Sequence, residues 1–481
     1  MPGSAMSGPP GAVSRTSWIG LLLLGAWFGF LAFGGLSHEE SLRLGADLRA
    51  GRVRMPAELP RVLGGYPADD GDVRRAWSYA RAVLGRSYLG GYVRDRGSWD
   101  RPFVDGPEVS PGRPLRPWRD FLVEYPPGYF LAALPPALLA RTPETYRSLF
   151  ALEMAGCAVL GLWIAERLRR QANPGAPSVL GWGALCTVLV GLVVTHRTDG
   201  LVLLELTILL WAAVQGRPTV AGLATALLFW TKGVPAIAGP FLALPWARER
   251  RWSELRLWAV VAMVVTVLLW APAIVVGGPG LLDIVRYQAG RPVQAESTAA
   301  ALAGLLRIAS PGLAWPVESH ASTGVGGRTV GGLAFVLQLA LCAAWAWAAW
   351  RARSRATGAQ AARLTLVLVL WMVLGPVFSP QFLVWVLPAA VLAGALVGRP
   401  ALAWLAGLCA LHQVVYPGAY DALRGLEPWA CTLVLVRNVA LGCWAALVWR
   451  ASGDASAEEP ASARAVLPGP PPVRPSPGSA R

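Results

Sequence analysis

Long apolar runs separated by short polar turns dominate this chain. The first, SWIGLLLLGAWFGFLAFGGL over residues 17–36, supplies the roughly 20 apolar residues that a helix needs to cross a bilayer. Similar runs recur near 146–165, 179–195, 199–214, 219–232, 234–246, 257–276, 329–350, 364–378, 381–398, 400–416 and 430–449. The pattern predicts an all-α polytopic membrane protein of about twelve spans. Two polar intervals interrupt it, a large first loop over 37–128 and a second over 277–328. Residues 1–16 and 451–481 are rich in Pro, Gly, Ala and Ser and are expected to be disordered, leaving 17–450 as one membrane domain. Arg15 is the one charge before the first span, and the apolar core of that span exceeds a signal-peptide h-region. It therefore reads as an uncleaved anchor.

Composition sharpens this picture. The 481 residues are 54% hydrophobic and 15% charged, against roughly 25% charged in soluble domains. A formal net charge of +15 would suggest nucleic acid for a soluble protein, but here the arginines sort by side. Arg167, Arg169 and Arg170 form one cluster, Arg248, Arg250, Arg251 and Arg256 a second, and Arg351, Arg353, Arg355 and Arg363 a third. The positive-inside rule puts all three in the cytoplasm, and no nucleic-acid partner is expected. Threading from a cytoplasmic N-terminus achieves this if residues 127–141, with Pro135 and Pro136, form an interfacial or re-entrant piece.

The same threading gathers most other ionisable groups on the outer face. They fall in the first loop, His196–Asp199, the Lys232 turn, the second loop, Ser379-Pro380-Gln381 and 416–428. Reactive groups are costly in hydrocarbon, so this face is the expected site. Residues 71–85 place Val73, Ala76, Trp77, Ala80, Val83 and Leu84 at helical spacing, with Arg74, Arg75, Arg81 and Arg86 mostly off that face. This predicts an amphipathic helix on the membrane surface. Asp72 at its start is either an N-cap or a general base toward a hydroxyl.

Asp120 and Glu124 stand four apart in an extended run before two prolines, pointing the same way. They either bind a sugar or bridge to Arg116 or Arg119. Lys232 is the one lysine among 43 basic residues. It is a snorkelling anchor or a cation facing a lipid phosphate. In RYQAGRPVQAES (286–297), Arg286, Arg291 and Glu296 suit an anion or sugar, or a solvated loop. His196 is a lesser phosphate candidate. Arg437-Asn438, expensive in lipid, is expected to pair inside the bundle with Glu153 or Glu205. The six cysteines lie in predicted spans without CxxC or Cys/His clusters, and GxxxxGK[ST], GxGxxG, HExxH and GxSxG are absent. No metal, nucleotide or other cofactor is expected.

With these pieces in order, the chain resembles the GT-C membrane glycosyltransferases, and among them family 87, the polyprenol-phosphate-mannose-dependent type. The likeness rests on the Asp72 helix after the first span, RDFLVEYPPGYF (119–130), WTKGVPAIAGP (230–240) and FSPQFLVWVLP (378–388). RYQAGRPVQAES, Tyr416-Pro417 and Arg437-Asn438 add to it, over roughly residues 17–450. The resemblance implies an inverting, metal-independent hexosyltransferase, mannose being the expected sugar. It would move the sugar from a polyprenyl-phosphate-linked donor to a lipid or glycan acceptor, on the extracytoplasmic face of the inner or plasma membrane, among membrane lipids. It implies an acidic base in the first outer loop. Asp72 matches by position, with Asp69 and Asp70 leaving the register open and Asp120 and Glu124 as the other catalytic candidates. The segment between Tyr92 and Trp118 is an insertion relative to the family pattern. A phosphate leaving group needs cations, so Lys232 and Arg291, then His196 and Arg286, are the donor-phosphate candidates. Tyr125, Tyr287, Gln294, Glu296 and Gln381 are the candidate substrate contacts. A lipid-linked-sugar flippase or transporter, an O-antigen-ligase-like enzyme and a non-catalytic assembly subunit remain as alternatives.

Overall fold

The computed structural model describes residues 71–98, 106–320 and 322–454. The anchor at 17–36, Asp69, Asp70 and both predicted tails apart from residues 451–454 lie outside the described residues. Helices α1 (Gly71–Val83), α2 (Tyr129–Leu139), α3 (Pro143–Ala172), α4 (Val179–Val190), α5 (Asp199–Val214), α6 (Pro218–Thr231) and α7 (Ala238–Arg248) come first. Then follow α8 (Trp252–Gly277), α9 (Leu282–Gly290), α10 (Thr298–Leu306), α11 (Arg328–Arg351) and α12 (Thr357–Leu374). The chain finishes with α13 (Phe382–Val397), α14 (Arg399–Gln413), α15 (Tyr420–Arg424) and α16 (Pro428–Asp454). Among the described residues, six helices are long and apolar enough to cross a membrane: α3, α8, α11, α12, α14 and α16, some with short extensions. Predicted spans at 179–195, 199–214, 219–232, 234–246 and 381–398 become α4, α5, α6, α7 and α13, each of 11 to 16 residues. Turns with Gly191, Gly233 and Pro235 cut these apolar runs short.

The all-α expectation also needs amendment. β1 (Tyr88–Leu89) pairs antiparallel with β2 (Glu108–Val109). In the second loop, β3 (Val293–Gln294), β4 (Trp315–Ser319) and β5 (Ser322–Gly326) form an antiparallel sheet ordered β3-β5-β4. Thr323 and Val325 give β5 its β-branched character, while Gly324 and Gly326 admit the close approach of Pro292 and Trp315.

Three apolar cores organise the molecule. The largest joins α3 to α7 with α12, α13, α14 and α16. A second belongs to the first loop, where α1 packs its Val73, Ala76, Trp77, Tyr79 and Ala80 against α2 and the start of α3. The helix expected on the membrane surface is thus sandwiched within protein. Its Arg75, expected off the apolar face, is 5% exposed because Glu124 neutralises it inside. A third core lies under the second loop. By contrast α8 buries only Ala273 and Gly277, which marks it as a peripheral, lipid-facing helix.

The α5–α6 hairpin separates two chemistries. At its turn, Gln215 donates to Gln171 at 2.8 Å, Gly216 abuts Arg355, Arg355 pairs with Glu249 and Arg248 donates to the Trp350 carbonyl. The arginine-rich turns therefore meet at one end. Arg363 is an exception to the expected loop cluster: it lies within α12, 2% exposed, donating to Gln360 and the Ser354 carbonyl. At the hairpin's open end, Lys232 reaches Asp199 at 3.3 Å.

The 127–141 piece, expected not to cross, is the 11-residue α2, about 16 Å long. Its entry is fixed by Gly128, whose amide donates to the Trp230 carbonyl at 2.9 Å. A Cβ at Gly128 would stand 2.7 Å from that carbonyl oxygen and 2.8 Å from the Thr231 Cα. Gly128→Ala is therefore expected to force α2 from the end of α6 and cost about 1–3 kcal/mol, read as a lower unfolding temperature in detergent.

Candidate functional site

The first turn of α1 presents Asp72, whose carboxylate is 24% exposed and ion-paired with both Arg75 and Arg197. Arg75 follows one turn later and turns inward, pairing with Glu124 at 3.1 Å and donating to the Tyr125 hydroxyl at 3.0 Å. Tyr79, one further turn along, donates to Glu124 at 2.9 Å. Burial, reinforced by Glu124, pushes the Tyr79 phenol well above its usual range, so it remains a donor.

Tyr125 links this group to the hairpin. Its ring stacks on Tyr129 with centroids 4.4 Å apart and lies 5.0 Å from the Lys232 ammonium and 5.4 Å from the Arg75 guanidinium. Lys232 pairs with buried Asp199, which also accepts from the Trp385 indole. Thus segments around 72–79, 124–129, 197–199, 232 and 385 converge in one polar cluster.

The second loop closes on it. Tyr287, on α9, is buried, donates to the His320 carbonyl at 2.6 Å, and lies within electrostatic reach of Glu124, Arg75, Arg94 and Arg291. Three direct cation–carboxylate sets (Arg75–Glu124, Arg197–Asp72 and Lys232–Asp199) are charge-balanced. Arg94 and Arg291 bring positive charge near Tyr287, and Arg291 is a cation suited to a phosphate. The Nε of Arg291 has no hydrogen-bond partner among the described residues.

Beyond Arg291, Glu296 is fully buried and neither carboxyl oxygen has a hydrogen-bond partner among the described residues. Its carbonyl accepts from Arg437 at 3.0 Å and from Asn438 at 3.3 Å. Arg437 also lies 4.1 Å from the Phe378 ring centroid and donates to Asn438 at 3.0 Å. The expected pairing of Arg437 with Glu153 or Glu205 is thereby corrected, and Glu205 instead accepts from Thr231 at 2.8 Å. The Gln294 amide donates to the Pro376 carbonyl at 2.9 Å, while its side-chain oxygen is buried without a hydrogen-bond partner among the described residues.

Burial pushes the Glu296 carboxyl up to about 7, against an ordinary value of 4.5, with Arg437 and Arg291 opposing the rise. A carboxyl whose folded value is raised contributes its full stability below pH 4.5 and loses it as pH climbs through 7. Glu296→Gln, a mimic of the neutral group, is expected to match wild type in unfolding temperature at pH 4.5. At pH 8 it should be the more stable, by on the order of 3 kcal/mol.

Asp120 and Arg286 stand apart from the cluster. Asp120 and Glu124 do not point the same way, because residues 118–120 form a turn with Trp118 at φ 62°, which breaks the strand alternation. Asp120 instead meets Arg113 at 3.1 Å and Arg116 at 3.0 Å near the surface, and Arg116 holds its carboxyl below the usual range. Arg286 is exposed and turns to Asp283 at 2.9 Å, away from the cluster's named contacts. His196 meets Thr195 at 3.0 Å, and Gln381 accepts from Ser379 at 2.7 Å. Sequence reasoning passed over Arg75, Tyr79, Arg94, Arg197, Asp199 and Trp385 as site residues. The threading that puts Arg197 and Asp199 on the outer face, and the spacing of Asp72, Arg75 and Tyr79 at successive turns, were the available signals.

The sequence model described as glycosyltransferase family 87 matches residues 121–380, more than half of the chain. This segment includes Glu124, Arg197, Asp199, Lys232 and Arg291 and stops short of Asp72. Among solved structures, the crystal structure of ArnT from Cupriavidus metallidurans bound to undecaprenyl phosphate is similar at 15% identity. It covers 92% of this chain and 79% of that one, with a TM-score of 0.42. None of the curated proteins matches this chain.

Proposed function

Because the chain belongs to glycosyltransferase family 87, we propose that this glycosyltransferase moves a hexose, mannose in the first instance, from a polyprenyl-phosphate-linked donor to a hydroxyl of a lipid or glycan acceptor. The observation that carries this reading is the cluster that pairs a partly exposed carboxylate, Asp72, with Arg197 and links it through Arg75 and Tyr125 to Lys232, with Arg291 within reach of Tyr287. Asp72 deprotonates the attacking hydroxyl. The hydroxyl oxygen forms a bond to the anomeric carbon as the bond to the phosphate oxygen breaks, with inversion. Lys232 and Arg291 stabilise the charge that collects on the departing phosphate.

Asp72 is favoured over its rivals on access. Glu124 is 2% exposed and committed to Tyr79 and Arg75, while Asp120, 14% exposed along its side chain, pairs with Arg113 and Arg116 outside the cluster. The separation of this cluster from the arginine-rich turns by the length of the α5–α6 hairpin supports an extracytoplasmic site, with those turns in the cytoplasm.

The test is transfer by purified enzyme from a short-chain polyprenyl phosphomannose, followed as a mannosylated product with inverted configuration. Product from this donor supports the reading. Product from another lipid-linked hexose replaces mannose, and binding without transfer from any lipid-linked hexose in a panel overturns it.

A further inference from the structure

The segment that follows α1 does more than connect. The Arg94 carbonyl accepts from Leu122 at 2.8 Å, drawing residues 92–96 alongside the chain that leads to Glu124. Two residues on, Arg96 reaches across to α9, its Nε 2.6 Å from Asp283 Oδ2. The other oxygen of that carboxylate takes Arg286 at 2.9 Å. Asp283 is 4% exposed, yet its oxygens are shared between one arginine of the first loop and one of its own helix.

The corner just before α9 is shaped to receive the same loop. A Cβ at Gly280 would lie 1.7 Å from the Trp118 carbonyl oxygen and 3.2 Å from the Arg96 Cζ, and one at Gly277 would lie 3.0 Å from the Trp118 Cβ. Ile284 and Ala273 belong to the first loop's apolar core, with Leu281 packed on it. Thus the start of α9 is held by apolar contact, by backbone approach and by one cross-loop ion pair. The far end of the same nine-residue helix carries Tyr287 and leads directly into Arg291.

We infer that Arg96 and Asp283 form a positioning pair, which locks α9 to the first loop and so sets Tyr287 and Arg291 against Glu124 and Arg75 for donor binding. The pair touches no reacting atom. It acts through a rigid helix of about 14 Å, so its loss changes where the Arg291 cation stands and leaves the Asp72 base in place. The donor-binding role of Arg291 rests on the function proposed above.

The experiment compares wild type, Arg96→Gln, Arg96→Lys, Asp283→Asn and the Arg96→Gln/Asp283→Asn pair with short-chain polyprenyl phosphomannose, together with their unfolding temperatures. Arg96 is 37% exposed along its side chain, so its replacement spares the core. Each single neutral variant is expected to raise the donor KM about tenfold, with kcat within about twofold. The double variant should be no worse than either single, and Arg96→Lys should recover most of the loss. A donor KM unchanged in Arg96→Gln overturns the inference, as does a loss confined to kcat or one that tracks a fall in unfolding temperature. Absence of transfer by wild type from any lipid-linked hexose would instead overturn the proposed function, which keeps the two failures distinct.

Discussion

Asp72→Asn is expected to lower kcat by about 10²- to 10⁴-fold, the range a positioned general base contributes, while donor affinity stays within about threefold. Asparagine keeps the shape and one acceptor oxygen, so Arg75 retains Glu124 and Tyr125 as partners and the first-loop core is undisturbed. What is lost is the capacity to take a proton. Single-turnover transfer and donor-induced stabilisation, measured on the same preparations, separate chemistry from binding. Transfer retained within tenfold would remove Asp72 from the base role and make Glu124 the next residue to test. The same variant addresses the assembly-subunit alternative, for which Asp72 would be dispensable.

Lys232→Met should be nearly as damaging, for two reasons that can be separated. The ammonium is the proposed partner of the leaving phosphate, and removing one such charge from a preorganised site costs about 10²- to 10³-fold. It is also the counterion of Asp199, which is 1% exposed, so its removal leaves a buried carboxylate uncompensated and lowers stability by about 3–5 kcal/mol. Lys232→Met combined with Asp199→Asn removes both charges together. The double variant is expected to regain most of the unfolding temperature and none of the transfer. Recovery of transfer in the double variant would mean that Lys232 serves only to neutralise Asp199, and Arg291 would then carry the phosphate alone.

The sequence was legible where a residue type is costly in its setting. A lone lysine at the end of an apolar run, and a carboxylate at the head of an amphipathic helix, both arrive in the cluster because each is expensive unless paired. Periodicity likewise located most apolar helices. Several of the runs it located are short among the described residues, as where 234–246 breaks into a 3₁₀ turn at Val234–Ile237 and the short α7. The inward turn of Arg75 was hidden because its reason is Glu124, 49 positions away by number, and a helical wheel knows only neighbours. Asp120 failed for a local cause: the Trp118 turn rotates it away from Glu124, whereas the pattern of alternation assumed an unbroken strand. Asp199 and Trp385 are 186 positions apart, and no spacing rule joins them.

The α5–α6 hairpin also has an effect on the lipid around it. Its helices of 16 and 14 residues rise about 24 and 21 Å, whereas the 26-residue α8 rises about 39 Å. A hydrocarbon slab is about 30 Å deep, so the hairpin falls short of it while α8, packed along α6, exceeds it. A tilt of α8 and a local slope of the leaflet take up the difference. Lys232 and Asp199 stand at the low edge of that slope. On the proposed function, a donor tethered to a long hydrocarbon tail would meet the cluster's cations without leaving the membrane.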